Sequence, residues 1–568
     1  MKSIWKEKEE QEKLINEKEH IKEKFGLHDL ASEILAKKNF KSDEEIERFL
    51  NPKRSDFRDP FQMPDMPKCI DRIIKAIDNK EKIIVYGDYD ADGITSSTIL
   101  KRFFEDLGVD VSVYIPNRLS EGYGLNKEAV KKIASEGYNL IITVDCGITS
   151  VEEVELAKEL KIDVIITDHH EPGEKLPQAI AVVDCKRSDS QYEFRELAGC
   201  GVAFKLTQAL AKRLNINENE YLKYIDIACI GTISDIVPLV DENRTIAKLG
   251  LLLVNQTKNI GLRELLRLAG FKKIDAETIS FGISPRINAC GRMGHQEDAL
   301  NLFLTNDIIK ARKLAKKLDD YNKERQAIEK RIFNEAEEEI ALNHENDKPC
   351  IVLGKEKWHH GIIGIVSSKI TEKYYKPSIL VCFEGKDSRG SGRSIKGFDL
   401  HEALLKLNDL LENAGGHSMA IGLSLETSKF EEFKQKFEQY AEEHITSQML
   451  QKEIEIDKEI DKNDIRIDSI KELEILEPYG EGNKKINIIY KNLKITSIRA
   501  LSEGKHIKLN LQDDNINLDA IGFNMGEYSK CYQIGDRVDV VGNIEINKFN
   551  NTEKVQISLK DMRKAVED

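Results

Sequence analysis

Apolar and polar positions follow two different patterns along residues 82–185. Short apolar runs with many β-branched residues occur in KIIVYGD, NLIITVDCG and IDVIITDHH, and these runs predict buried strands. The stretches NKEAVKKIASEG and SVEEVELAKELK, which lie between them, carry apolar residues at helical spacing. Because strands and helices alternate, we expect an α/β domain with a doubly wound, mostly parallel sheet that is covered on both faces.

The hydrophobic pattern changes character several times outside this region. The first residues are charged and helical, residues 305–345 predict one long helix, and the last hundred residues alternate in short strands typical of a small barrel such as an OB-fold. We therefore expect five segments: an N-terminal helical segment at 1–60, the first α/β domain at 61–300, a connecting helix at 301–347, a second α/β domain at 348–450 and an OB-like barrel at 451–568.

Composition narrows the class of protein. The chain has 568 residues, of which 40% are hydrophobic, which suffices for several cores. No apolar run approaches the roughly 18 residues of a membrane span, and the charged start MKSIWKEKEEQEK lacks the apolar core of a signal peptide. Nine scattered cysteines form no Cys-x-x-Cys pair, which disfavours a zinc ribbon and suits free thiols. We expect a cytoplasmic protein without membrane contact.

The formal net charge of −14 argues mildly against a nucleic-acid partner, since such proteins usually present a basic surface. The charge does not exclude a nuclease. Such an enzyme needs only one basic track, and a metal site built from carboxylates itself adds negative charge.

Acidic residues and histidines follow three of the predicted strands. Asp88, Asp90 and Asp92 come after the first strand, Asp145 ends a later one, and Asp168-His169-His170 ends the next. In an open parallel sheet, ligands bind outside the carboxyl ends of the strands. We therefore expect these side chains to point into one crevice.

A divalent metal site explains this cluster better than separate structural roles do. A single Asp after a strand is most often a turn residue or a helix N-cap, and a His pair is usually surface or core. Three such groups at successive strand ends are different, because unpaired carboxylates so close together repel until a cation binds. Mixed Asp and His ligands suit Mn²⁺, with Mg²⁺ as a substitute, whereas Cys146 is a poorer ligand than its neighbour Asp145, so zinc is disfavoured.

Five motifs resemble those of the DHH phosphoesterase superfamily, which is named for Asp-His-His. In chain order they are GDYDADGITS, TVDCG, TDHHEP, GTISDIVPL and SPRINACGRMG. The motifs WHHGIIGIVSSKI, GSGRS and GGHSMAIGL resemble the DHHA1 domain, and LEPYGEGN with the β-rich tail resembles the OB region of the superfamily's single-strand-specific exonucleases. Each motif alone is weak, but their shared order and spacing are specific, and the resemblance covers nearly the whole chain.

The resemblance implies a set of site residues. The implied metal ligands are Asp90, Asp92, Asp145, His169 and Asp235, and His170 is implied in the same site as a ligand or as a hydrogen-bonding partner of the scissile phosphate. We leave Asp88 outside the ligand set, as support for the turn, and take Asp92 as the bridging ligand by hypothesis. Cys146 stands where Asn is common, and we expect it to be tolerated because it is not an implied ligand. Two Mn²⁺ ions in such a site would clamp the attacking and leaving oxygens of a phosphodiester.

Substrate contacts are expected from residues that suit phosphate. Arginine binds phosphate well because its fork donates two parallel hydrogen bonds. The candidates are Arg118, Arg286, Asn288, Arg292, Ser391, Arg393 and His417. The resemblance places Arg118, Ser391 and Arg393 near phosphates at the 5′ end, and the alternative for each arginine is a surface position or an interlobe salt bridge.

Aromatic residues of the tail are candidates for stacking on single-stranded bases. These are Tyr479, Phe523, Tyr528 and Phe549. The alternative is that they fill the barrel core, and we favour that alternative for Phe523.

The resemblance implies a metal-dependent hydrolase, a single-stranded-DNA-specific 5′→3′ exonuclease that acts in DNA repair and recombination by two-metal-ion catalysis. Its partners would be single-stranded DNA, a helicase and a single-strand-binding protein. Two alternatives stay open: another DHH phosphoesterase that acts on oligoribonucleotides or cyclic dinucleotides, and a non-catalytic DNA-binding scaffold. The former generally lacks the OB-like tail and the fifth motif, and the latter requires lost ligands, whereas this chain keeps all of them.

Overall fold

A computed structural model describes residues 3–7, 12–514, 516–549 and 552–565. The chain divides into two compact units. The larger unit comprises Lys53–Leu450 with Gly480–Gly482, and the smaller unit comprises Met1–Pro52, Gln451–Tyr479 and Asn483–Asp568. Among the described helices, none combines the length and apolar character needed to cross a bilayer.

The N-terminal part of the smaller unit contains one short strand and three helices. They are β1 (Ile4–Glu7), α1 (Glu12–Phe25), α2 (Asp29–Ala36) and α3 (Asp43–Leu50).

The larger unit begins with the parallel sheet that the apolar runs predict. Its elements are α4 (Met66–Asp78), β2 (Ile83–Tyr86), α5 (Ala91–Asp106), β3 (Val111–Tyr114), α6 (Lys127–Ser135), β4 (Leu140–Val144), α7 (Val151–Glu159), β5 (Asp163–Thr167) and β6 (Ala181–Val183). The strand order is β3-β2-β4-β5-β6, and every pair is parallel.

Both faces of this sheet are buried, as the continuous apolar runs indicated. Val85 and Ile142 belong to one core cluster, while Ile84 and Ile141 belong to another on the opposite face. The chain leaves β2 toward β3 on one side and later returns to β4 on the other, so the carboxyl ends of β2 and β4 form a topological switch point. Ligand crevices open at such points.

Helices follow the sheet and lead to the second α/β domain. They are α8 (Gly199–Arg213), α9 (Asn219–Leu222), α10 (Ile225–Ser234), α11 (Asp241–Val254), α12 (Ile260–Ala269), α13 (Ala276–Thr278), α14 (Ser284–Arg292), α15 (Gln296–Leu304) and α16 (Ile308–Leu342). The last of these is the expected long helix, and it buries an apolar stripe that includes Leu314, Leu318 and Ile332.

The second α/β domain contains a mixed sheet. Its elements are β7 (Ile351–Glu356), α17 (His360–Tyr374), β8 (Ser378–Glu384), β9 (Asp387–Arg393), α18 (Leu400–Lys406), β10 (Asn413–His417), β11 (Ala420–Glu426) and α19 (Phe430–His444). The strand order is β10-β11-β9-β8-β7, in which β7 and β8 are parallel and the other pairs are antiparallel.

The C-terminal part of the smaller unit forms a closed barrel, as the strand pattern predicted. Its elements are β12 (Glu453–Ile456), β13 (Lys458–Glu459), α20 (Ile467–Glu472), β14 (Ile488–Leu501), β15 (His506–Asp513), β16 (Ile516–Gly522), α21 (Tyr528–Cys531), β17 (Arg537–Phe549) and β18 (Thr552–Lys564). The strands run β14-β15-β16-β18-β17, and pairing of β14 with β17 closes the barrel.

The N-terminal residues belong with this barrel. Strand β1 pairs in parallel with β12, and Ile21, Leu35 and Leu50 share a core cluster with barrel residues such as Leu493. The charged helices at the start of the chain therefore bury their apolar faces within the smaller unit.

Short turns of other helical types complete the description. The 3-10 turns lie at Arg54–Asp56, Pro60–Gln62, Glu345–Asp347, Asn408–Leu410, Thr427–Lys429 and Leu473–Leu476, and a π-helical turn lies at Ile279–Ile283.

Candidate active site

The loop after β2 forms the first wall of the candidate site. Asp90 is the N-cap of α5, and its Oδ1 accepts hydrogen bonds from the backbone N–H groups of Asp92 (2.9 Å) and Gly93 (3.1 Å). Gly93 cannot be replaced here, because a Cβ would collide with the backbone of Asp88. Asn288 of the fifth motif fixes the same loop, since its Oδ1 accepts from the N–H of Ala91 at 2.7 Å.

Asp92 is held by the start of α8. Its Oδ2 accepts from the N–H of Gly199 at 2.6 Å, and its Oδ1 accepts from the N–H of Cys200 at 2.8 Å. The positive end of a helix dipole stabilises a carboxylate in this position. Asp92 is only 1% exposed, so these bonds fix the carboxylate inside the protein.

Asp145 follows β4 and Asp168 follows β5, and their carboxylates have different hydrogen-bond partners. Asp145 is buried, adopts a left-handed φ of 61°, and is tied to β5 through its N–H, which donates to the carbonyl oxygen of Thr167. Asp168 uses its carboxylate for support. Its Oδ2 accepts from the N–H of Ile148 (2.9 Å), and its Oδ1 accepts from the N–H of His169 (2.7 Å) and from Nδ1 of His170 (2.7 Å).

The carboxylates converge on the imidazole of His169. Its Nε2 lies 3.1 Å from Oδ1 of Asp145, 3.7 Å from Oδ2 of Asp235 and 3.8 Å from Oδ2 of Asp92. This nitrogen is buried and has no hydrogen-bond partner. A buried imidazole nitrogen that faces three carboxylates without bonding them has the chemistry of a metal ligand.

The described residues contain three groups whose ligand atoms lie within 4.8 Å of one another. They are Asp145-His169-His170, Asp92-His169-Asp235 and Asp88-Asp90-Asp145. The groups overlap through Asp145 and His169, so together they offer space for more than one divalent ion. The bridging role expected of Asp92 stays a prediction.

The electrostatics of the cluster favour a bound cation. Burial is the main cause that raises the pKa of Asp145 and Asp235 well above the usual range, and the charges of neighbouring aspartates add to it. Burial also lowers the pKa of His169 to about 4, so its imidazole is neutral and able to ligate. A divalent cation would remove the repulsion between the carboxylates.

His170 differs from His169 because Asp168 is its direct partner. Burial works against protonation of His170, but the hydrogen bond and the charge of Asp168 outweigh it and raise the pKa to about 9. The same pair lowers the pKa of Asp168 although burial opposes this. Before metal binds, His170 is therefore cationic at neutral pH.

Asp88 is the site residue that the sequence reasoning left out. It is 3% exposed, its Oδ1 has no hydrogen-bond partner, and it groups with Asp90 and Asp145. Burial and the charge of Asp90 raise its pKa well above the usual range. The available signal was its position directly after β2, because residues that follow a parallel strand lie at the sheet edge where ligands bind.

Three of the predicted arginines form a cationic cluster. The guanidinium of Arg118 lies over the ring of Tyr89 at 5.0 Å, that of Arg292 donates to the carbonyl oxygen of Gly361 at 3.0 Å, and that of Arg393 donates to Oγ of Ser391 at 3.1 Å. Within the described residues, no carboxylate forms an ion pair with any of the three. Burial, then the neighbouring arginine charges, lower the pKa of Arg292 to about 9, and burial followed by the charge of Arg118 lowers that of Arg393.

The other predicted substrate residues are placed differently. Arg286 forms a 3.0 Å salt bridge with Asp319 of α16, so its charge is already paired within the protein. Asn288 holds the Ala91 N–H, so it positions the first motif. His417 is exposed at the end of edge strand β10. Cys146 lies buried in a core cluster and is absent from the three ligand groups.

Phe523 corrects one expectation about the barrel. It was expected in the core, but it is 58% exposed and its ring contacts His506 at 5.4 Å between centroids. The physical reason is the alternation of β16, in which Leu518, Ala520 and Gly522 are buried, so that the next position, 523, falls on the outward side. Tyr479 and Tyr528 are partly buried and packed against the core, and the side chain of Phe549 lies outside the described residues.

Aspartates and two histidines meet at the strand ends of a parallel sheet, and a long helix and a second α/β domain follow in the chain. These features define a DHH-type metal-dependent phosphoesterase. Family models agree with this class. The DHH family N-terminal domain matches residues 82–232, the DHHA1 domain matches residues 347–443, and the RecJ OB domain matches residues 456–561.

Individual relatives narrow the class to one family. The chain is 40% identical to the single-stranded-DNA-specific exonuclease RecJ of Bacillus subtilis over 546 residues, which is 95% of this chain and 69% of that protein. The crystal structure of RecJ from Thermus thermophilus in complex with Mn²⁺ superposes with a TM-score of 0.86 at 29% identity and covers 99% of this chain and 80% of that one. A manganese-bound exonuclease RecJ gives a TM-score of 0.60 at 36% identity, with 67% and 95% coverage. The chain belongs to the RecJ family.

Proposed function

We propose that this chain is a single-stranded-DNA-specific exonuclease that hydrolyses phosphodiester bonds from the 5′ end in the presence of divalent cations. The observation that carries the proposal is the unbonded Nε2 of His169, surrounded by Asp92, Asp145 and Asp235. The relatives named above are single-stranded-DNA-specific exonucleases, which supports the same substrate for this chain.

The donor set fits hard or borderline cations such as Mn²⁺ and Mg²⁺. Carboxylate oxygens and one or two imidazoles suit these ions, and the RecJ structures from Thermus thermophilus are complexes with Mn²⁺ and with Mg²⁺. The residues that would hold two ions are Asp90, Asp92, Asp145, His169 and Asp235, with Asp88 as an additional ligand candidate. When bound, two such ions supply an activated water at neutral pH and charge stabilisation for the leaving oxygen.

The protein's own groups orient the reaction. Asp168 fixes His170 through Nδ1, so Nε2, which lies 3.3 Å from the hydroxyl of Tyr123, is the ring nitrogen that would donate toward a non-bridging phosphate oxygen. The start of α8 fixes Asp92, and the N-cap geometry fixes Asp90. Because these partners are backbone groups of regular elements, the ligands keep their geometry before substrate arrives.

The arginine cluster is the proposed binding site for the strand end. Arg118, Arg292 and Arg393 carry charge that no carboxylate of the described residues neutralises by ion pairing, and Ser391 adds a hydroxyl. Guanidinium groups bind phosphate through two parallel hydrogen bonds. A 5′ phosphate held there would set the distance from the strand end to the metal cluster.

The wider setting is also a proposal. A single-strand-specific enzyme requires an unwound strand, so a helicase that supplies it and a protein that coats it are suitable partners in cytoplasmic DNA repair and recombination. We also propose five segments. They are a helical segment at 1–60, the DHH domain at 61–300, the connecting helix at 301–347, the DHHA1 domain at 348–450 and the OB-like domain at 451–568.

Digestion of matched substrates tests the function. Labelled single strands blocked at the 5′ end, blocked at the 3′ end or annealed to a complement, and in parallel short oligoribonucleotides and cyclic dinucleotides, are incubated with Mn²⁺, Mg²⁺ or a chelator. We expect degradation of the 3′-blocked single strand alone, and none with chelator. Turnover confined to short oligoribonucleotides or cyclic dinucleotides would instead support another DHH phosphoesterase, and binding without turnover would support a scaffold.

A further inference from the structure

Tyr123 occupies an unusual position above the metal cluster. Its residue is 51% exposed, yet its hydroxyl donates to the backbone carbonyl oxygen of Asp145 at 3.2 Å and lies 3.0 and 3.3 Å from the two ring nitrogens of His170. The two rings meet edge to face, with centroids 5.5 Å apart. The polar end of the side chain is therefore anchored in the site, while about half of the residue's surface stays exposed to solvent.

The loop that carries Tyr123 is built to hold this position. Gly122 and Gly124 flank it with φ of 81° and 86°, a left-handed backbone that suits glycine and reverses the chain on both sides. The carbonyl oxygen of Gly124 accepts from the hydroxyl of Tyr86 at 3.0 Å, and Glu121 accepts from the hydroxyl of Tyr114 at 2.7 Å. The loop is thus held on both sides of Tyr123.

The same loop also contributes to the cationic cluster, because Arg118 lies five residues before Tyr123. One loop therefore offers a guanidinium for phosphate and an aromatic face beside the metal ligands. Proteins that hold single strands combine these two features, because cationic groups track the phosphates and aromatic rings stack on the bases.

We propose that Tyr123 is a substrate-positioning residue, whose open ring face stacks on the base of the nucleotide next to the scissile phosphate while its hydroxyl keeps the ring aligned with His170. This inference rests on the proposed function, since it requires a single strand in the site. It separates two parts of one side chain: the ring binds the nucleotide, and the hydroxyl sets the geometry of the ring and of His170.

Two substitutions distinguish the ring from the hydroxyl. Tyr123→Phe keeps the ring, and Tyr123→Leu removes it. Base stacking on an aromatic residue is worth about 1–3 kcal/mol, so we expect Tyr123→Leu to raise KM for a single strand by about tenfold or more. Tyr123→Phe should keep KM near the wild-type value and lower kcat only several-fold. Both should fold, because the ring is half exposed, and thermal midpoints check this.

A binding measurement provides a readout that does not depend on turnover. A single strand with 2-aminopurine near its 5′ end is mixed with protein in chelator, and stacking quenches its fluorescence. We expect quenching by wild type and Tyr123→Phe and its loss in Tyr123→Leu. Tyr138→Leu is the matched control, because Tyr138 is also partly exposed with a bonded hydroxyl, 2.7 Å from Ser112, but precedes the amino end of β4.

The outcomes are separable. If wild type does not degrade single strands with Mn²⁺, the proposed function fails. If wild type is active but does not quench, or if Tyr123→Leu matches it in KM and quenching, only the role of Tyr123 is overturned. Equal loss of kcat and Mn²⁺ affinity in both variants, with unchanged KM, would show that Tyr123 merely shapes the metal site and would also overturn the inference.

Discussion

Alanine at Gly199 should disable the site while leaving the fold in place. Gly199 begins α8, and its N–H binds Asp92. A Cβ at this position would lie 2.6 Å from Oδ1, 2.7 Å from Cβ and 2.9 Å from Cγ of Asp145, where ordinary contacts begin at 3.4 Å. The Asp145 carboxylate must therefore retreat by about 0.8 Å, the difference between 3.4 and 2.6 Å.

That displacement is large for a reaction centre. Productive geometry is held within about 0.5 Å, and a misplacement of about 1 Å costs roughly 100-fold in rate. We expect kcat/KM of Gly199→Ala on a single strand to fall about 100-fold, together with weaker Mn²⁺ binding. Overpacking costs about 1–3 kcal/mol, which is less than the roughly 5–15 kcal/mol by which native proteins are stable, so the protein should still fold.

The matched control is Gly201→Ala in the same helix. The nearest atoms to a Cβ there would belong to Leu197, at 3.2 Å, and Ile246, at 3.8 Å, and neither residue belongs to the site. The assay compares initial rates of nucleotide release and Mn²⁺ titration midpoints for wild type and both variants. Wild-type rates and Mn²⁺ affinity in Gly199→Ala would refute the reasoning, because Asp145 would then not be a constrained ligand.

Three further predictions follow from the same structure. Asp235→Ala should raise the metal-free thermal midpoint, because it removes one of several mutually repelling carboxylates, while it abolishes the Mn²⁺-induced rise in midpoint and lowers activity at least 100-fold. Arg393→Ala should raise KM about tenfold or more for 5′-phosphorylated strands and less for 5′-hydroxyl strands, since a hydrogen bond to a charged group is worth about 1.5–3 kcal/mol. Asp184→Asn should stabilise the protein at pH 8 but not at pH 4, because burial raises the pKa of Asp184 from 3.8 to about 7. Ionisation of this buried carboxyl then costs folding free energy that grows from about pH 4 and is complete above about pH 7, at most about 4 kcal/mol.

Each of these predictions has its own check. Unchanged Mn²⁺ stabilisation in Asp235→Ala would exclude this residue as a ligand. Arg389→Ala, on the same strand as Arg393 but exposed and near Glu384, is the control for loss of charge, and an equal effect would contradict a specific phosphate contact. Thermal midpoints of Asp184→Asn that exceed wild type by the same amount at both pH values would contradict the ionisation argument.

Local patterns sufficed for the parallel sheet and for bringing Asp145 and His169 to one edge of it. The apolar runs that became β2, β4 and β5 are unambiguous because both faces of the sheet are covered. The carboxyl ends of parallel strands lie at one edge of the sheet, so the topology alone predicted that Asp145 and His169 would lie close together.

Tertiary partners explain what the sequence did not reveal. Asp92 depends on the N–H groups of Gly199 and Cys200, more than a hundred residues away, and no local signal marks that pairing. Arg286 and Arg292 lie six residues apart in α14 and looked equivalent. They differ because Arg286 forms a salt bridge with Asp319, whereas Arg292 donates to the backbone carbonyl oxygen of Gly361.

The most direct test is the position of bound Mn²⁺ itself. Anomalous diffraction from crystals grown with Mn²⁺ should show two peaks, about 3.5–4 Å apart, ligated by residues of the overlapping groups around Asp145 and His169. Peaks outside these groups, or no peak at saturating Mn²⁺, would contradict the account.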